Sequence, residues 1–83
     1  MVLYTKAVCP LCDEVKAELR RVRTGIAWRL EVVGIDGRPE LEERHGLSVP
    51  VVVIAGRPAF KGRLTAEDFA RKLARRAEED RRA

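Results

Sequence analysis

The chain has 83 residues, enough for one domain with a modest core and too few for two. Its 17 Lys and Arg against 13 Asp and Glu leave a net charge of +4 spread along the chain, a weakly basic surface that is not by itself a nucleic-acid footprint. No apolar run approaches the roughly 18 residues that cross a bilayer, and the N-terminus lacks a charged region leading into a cleavage site, so a soluble, cytoplasmic protein is expected.

Val2-Leu3-Tyr4 is a short apolar run without alternation, the pattern of a strand covered on both faces, so the first strand is predicted to be central. Lys6, Ala7 and Val8 form a loop into Cys9-Pro10-Leu11-Cys12, and the stretch from Leu11 to Val22 reads as an amphipathic helix. Pro10 suits the first helical position, where its missing N–H is an orphan anyway. A sulfur at that junction faces unpaired backbone N–H groups and the positive end of the helix dipole, so Cys9 is expected to ionise below the free value of about 8.5. Cys12, one turn on, faces the same side and is placed to attack a mixed disulfide at Cys9. Lys6, three residues before Cys9, reads either as a cation that favours the thiolate or attracts a carboxylate, or as an ordinary solvated lysine. Asp13 and Glu14 suit the first turn and oppose a thiolate at Cys9.

Other readings of the cysteine pair stay open. A zinc site needs four ligands, and two cysteines with one histidine do not supply them within one chain, which leaves a metal shared across a dimer. A structural disulfide closing so short a loop constrains the unfolded chain very little. Two cysteines in CxxC spacing within a cytosolic chain point to catalysis more than to stapling.

Val15, Leu19 and Val22 continue the buried stripe of the first helix, and Gly25 is its candidate C-cap. Ala27 to Val33 contains an alternating segment with Trp28, Leu30 and Val32 on one face, expected of an edge strand, with Trp28 read as packing. Asp36-Gly37 turns the chain, and Pro39 opens a short helix to about His45 that Gly46 stops. His45 shares a face with Leu41 and is expected to be a partly exposed helix-end residue. Val51 to Ile54 is a buried β-branched strand. Pro50 at its start is tolerated in either isomer; a cis Val49-Pro50 bond would leave the Val49 N–H and C=O for an extended substrate. Ala55 to Pro58 makes a hairpin turn, and Ala59-Phe60 begins an edge strand. The last helix has Thr65 as N-cap, Leu64 stapled to Phe69, and Phe69, Leu73 and Ala77 on its buried stripe; residues 78–83 are expected to fray.

Tyr4-x-Lys6-x-x-Cys9-Pro10-x-Cys12, then Val49-Pro50, then Val52-x-Ile54-x-Gly56 resemble the active-site run, the cis-proline motif and the following strand and turn of glutaredoxins. The resemblance implies a single α/β domain over residues 1–83. Its form is a minimal thioredoxin fold, β-α-β-α-β-β-α, with a mixed sheet in the order β2-β1-β3-β4 and helices on both faces. It implies thiol-disulfide exchange at Cys9, resolution by Cys12, and a substrate site formed by Lys6, Pro10, Leu11, Val49 and a cis Pro50. No bound cofactor or metal is implied. Partners would be a protein or small-thiol disulfide and a reductant, either glutathione or a thioredoxin reductase, acting on a monomer. Two features depart from glutaredoxins. Leu11 replaces an aromatic residue, and Phe60-Lys61-Gly62-Arg63-Leu64 replaces the Gly-Gly and acidic pair that cradle glutathione. Two alternatives stand beside the oxidoreductase: a metal or iron-sulfur carrier using Cys9 from two subunits, and a redox-silent adaptor that binds a partner.

Overall fold

The computed structural model describes residues 1–82. Its elements run β1 (Val2–Thr5), α1 (Pro10–Arg20), β2 (Glu31–Gly34), α2 (Pro39–His45), β3 (Val51–Ile54), β4 (Arg57–Lys61) and α3 (Ala66–Arg82). The four strands form one sheet in the order β2-β1-β3-β4, the order the resemblance implies. β1 pairs parallel with β2, with Leu3 opposite Val32, and antiparallel with β3, with Leu3 opposite Val52 and Tyr4 opposite Val51. β1 is thus central, as its unbroken apolar run predicts.

Alternation along the strands divides the side chains between two layers. Leu3, Val52 and Ile54 face α1 and α3 and join Val15, Leu19, Leu64, Phe69 and Leu73 in one core. Phe69 is its centre: fully buried, it lies 4.9 Å from the Trp28 ring and 6.3 Å from the Phe60 ring. Trp28 is therefore packing, as expected. Tyr4 and Val51 point to the other side, where α2 lies and His45 stacks on Tyr4 with ring centroids 4.3 Å apart.

Several boundaries differ from the sequence reading. α1 stops at Arg20 instead of Val22, because the Arg21 and Val22 amides tighten onto Glu18 O and Leu19 O in a closing turn; Arg21, not Gly25, is its C-cap. β2 begins at Glu31, four residues later than the alternation suggests, since only Glu31–Gly34 lies opposite the residues of β1. The hairpin needs just Ala55 and Gly56, with φ of 52° and 77°, the pairing of positive φ values that matches strand twist; β4 therefore begins at Arg57, before Ala59. α3 stays helical through Arg82 where fraying from residue 78 was expected; Ala83 lies outside the described residues. The extension has tertiary anchors: Arg76 donates to Ile54 O at 3.3 Å and to Pro58 O at 3.1 Å, and Glu79 meets Arg57 at 3.2 Å. Thr65 caps α3 as predicted, accepting from Asp68 N–H at 3.1 Å.

His45 is 8% exposed, against the expectation of a partly exposed residue, because α2 lays its last turn on the sheet and the ring stacks on Tyr4. Gly46 follows it for closeness rather than for a special φ: a Cβ there would run into the Glu42 carbonyl. Burial, and then the cations of Arg44 and Lys61, hold the His45 pKa below its ordinary 6.5.

Two outcomes follow for stability. Phe69→Ala removes the ring shared by Trp28 and Phe60 and should cost about 3–5 kcal/mol in urea denaturation, a large part of what a domain of this size has. The unfolded chain binds the His45 proton more readily than the folded one. The stability of the neutral ring is therefore fully present above pH 6.5 and is lost as the pH falls through the lowered folded value. Urea midpoints measured downward from pH 6.5 should fall, and His45→Phe should flatten that part of the profile.

Candidate active site

The site is assembled at the end of the sheet where β1 finishes and β3 starts. Ile35 N–H donates to Thr5 O at 2.9 Å, extending the β1–β2 ladder by one bond. Just beyond it Ala7 N–H donates to Asp36 Oδ2 at 2.7 Å, so a carboxylate from the turn after β2 holds the loop that leads into the cysteines. Locally Asp36 is half of an Asp-Gly turn, and nothing near it in the sequence marks a partner 29 residues away.

Cys9 is the N-cap of α1, with extended backbone (φ −152°, ψ 90°) and Pro10 opening the helix as predicted. Its Sγ accepts from Cys12 N–H at 3.1 Å, and its carbonyl accepts from Asp13 N–H at 3.2 Å. The sulfur thus takes the place of the Ser, Thr or Asp oxygen that ordinarily satisfies an orphan amide there. Cys9 and Cys12 form a disulfide with Cα atoms 5.2 Å apart. The two sulfurs differ in access: Cys12 is 1% exposed against the core, while Cys9 is partly open to solvent. Val15 and Leu19, buried on the same stripe, fix that orientation by tying α1 to the sheet.

Val49-Pro50 comes to the same sheet end, since Val51 begins β3 opposite Tyr4 near the end of β1. The Val49–Pro50 bond is cis, and the buried Pro50 accepts from Gly62 N–H at 2.9 Å. One expectation fails here. The Val49 N–H is already committed, donating to His45 O at 3.1 Å, while Ser48 N–H donates to the same carbonyl at 2.8 Å. The α2 C-terminus, whose last carbonyls need donors, captures both amides.

Lys6 is exposed in the entry loop. Leu11, partly buried, lines an open groove of about 470 Å³ that runs between α1 and the start of α3, with Glu14, Val15, Glu18, Arg63, Leu64 and Asp68 among its walls. At its α3 end Glu18 Oε1 accepts from Ala66 N–H at 2.9 Å, so a side chain of α1 caps α3 alongside Thr65. Nothing local in the sequence marks Glu18 as the cap of a helix 48 residues away. Among the described residues no cluster of three or more His, Cys, Asp or Glu side chains is arranged to hold a metal ion, and no helix is long and apolar enough to cross a membrane.

A family model described as a glutaredoxin-like domain matches residues 1–74, from β1 into α3. The X-ray structure of the structural genomics target protein XcR50 from X. campestris superposes with a TM-score of 0.78 at 31% identity, covering 89% of this chain and 95% of that one. No curated protein matches the chain. With the matched residues holding both cysteines and every strand of the sheet, the chain belongs to the glutaredoxin-like domain family, and the Cys9–Cys12 pair gives it a thiol redox role.

Proposed function

We propose that the protein is a dithiol oxidoreductase that reduces protein disulfides or mixed disulfides. The observation that carries this reading is the asymmetry of the pair: a partly open sulfur capping α1, bonded to a buried sulfur one turn behind it. When the pair is reduced, the amide of Cys12 and the dipole of α1 favour negative charge at Cys9 and so raise its thiolate fraction. Cys9 thiolate attacks one sulfur of the substrate disulfide, forming a mixed disulfide and releasing the other sulfur as thiolate, which takes a proton from solvent. Cys12, losing its own proton to solvent, then attacks Cys9 Sγ and expels the second substrate sulfur. Two electrons pass to the substrate and the internal disulfide is restored; glutathione or a thioredoxin reductase returns it to the dithiol.

The neighbouring residues serve that cycle by position. Pro10 and Leu11 border the open sulfur, Lys6 offers a cation to a substrate carboxylate, and the cis Pro50 and the Val49 carbonyl lie at the end of the sheet where the substrate chain would pass. The protein works as a monomer without a bound cofactor, in the reducing cytoplasm where a dithiol of this kind is kept in use.

Cys9→Ser should abolish disulfide reduction, while Cys12→Ser should leave the first attack intact and accumulate mixed disulfides visible by mass spectrometry; full activity in both variants would exclude the mechanism. Asp36→Ala frees the Ala7 amide and loosens the loop before Cys9. It should slow mixed-disulfide formation by roughly 3- to 10-fold, and Asp36→Asn, which keeps an acceptor, should recover most of the rate.

A further inference from the structure

Three large apolar side chains are strongly exposed among the described residues: Val8 at 89%, Leu47 at 104% and Val32 at 48%. Val32 lies on the edge strand β2. The other two are in the loops that frame the redox pair: Val8 immediately precedes Cys9, and Leu47 lies in the turn between α2 and Val49-Pro50. Both loops are at the sheet end where β1 finishes and β3 starts. Leu11, the residue before Cys12 and itself partly exposed, lines the groove between α1 and α3.

The polar groups of that groove are largely spent on the protein itself. The first amides of α3, which would otherwise receive a ligand carboxylate, are met by Glu18 and Thr65. Glu18 is paired with Arg21 at 3.4 Å and Asp68 with Arg71 at 3.7 Å, which leaves Glu14 and Arg63, of opposite sign, on the rim. Within the groove a small thiol with two carboxylates meets no net positive charge, Lys6 standing outside it in the entry loop, whereas a neutral apolar segment of chain meets matching surface.

We infer that Val8, Leu47 and Leu11 form an apolar collar that seats a polypeptide, so that the substrate is a protein disulfide and not a small anionic one. This rests on the reductase reading and specifies its substrate class. The chemistry is unchanged: the protein dithiol gives two electrons and two protons to the polypeptide disulfide, and its own disulfide forms.

The test uses the full chain reduced with dithiothreitol, desalted, and mixed with excess insulin, bis(hydroxyethyl) disulfide or glutathione disulfide, with oxidation of the pair followed by alkylation and mass spectrometry. Val8→Ser with Leu47→Ser should lower the ratio of the insulin rate to the hydroxyethyl disulfide rate about tenfold, the scale expected when two apolar side chains lose most of their buried contact. Val32→Ser, an exposed apolar change away from the pair, should leave the ratio where it was. An unchanged ratio in the double variant, or glutathione disulfide outpacing insulin in the wild type through Lys6, Lys61 and Arg63, overturns the collar and leaves the reductase reading intact. A wild type that reduces none of the three overturns both.

Discussion

The fold depends on where α1 begins. β1 delivers the chain to the end of the sheet, a short loop turns it, and the Cys12 amide in the first helical turn finds the sulfur of Cys9. An N-cap is a structural need of any helix, and here the group that meets it is also the group that can react. Because Val15 and Leu19 anchor the same helix in the core, the cap cannot drift, and the pair is held with one sulfur open and one buried. Stability and chemistry draw on the same backbone amides.

Long-range carboxylates complete that arrangement. Asp36 reaches from the turn after β2 to the amide of Ala7, and Glu18 reaches from α1 to the first turn of α3. Each is a charge-assisted bond to a backbone donor that would otherwise require water, so each fixes a loop or a helix end against the sheet. The consequence for the site is twofold: the entry loop is held in place before Cys9, and the mouth of α3 is closed to outside anions. Arg76 does the corresponding work at the far end of α3, holding the β3–β4 hairpin through two carbonyls.

Much of this was legible along the chain because it is local. Pro10 after Cys9, the stripe of Val15 and Leu19, the Thr65 cap and the β-branched run at Val51 each declare their element within a few residues, and their order in the chain implies the sheet. Element ends were less legible. α1 closes two residues early through its own tightened turn, β2 is cut to the span that β1 can pair with, and α3 runs on because Arg57 and the hairpin carbonyls give its second half partners. Apart from the closing turn of α1, those partners lie far away in the sequence.

The sequence alone determined that two thiols stand one turn apart at a helix mouth and that Val49-Pro50 leads into a buried strand, since capping, period and residue chemistry act over a handful of positions. Only the tertiary structure decided that His45 is buried on Tyr4, that the Val49 amide is spent on the end of α2, and that Glu18 fills the head of α3. Those outcomes turn on which surfaces meet when the sheet and helices close, and the free energy of such contacts belongs to pairs of residues far apart in the chain.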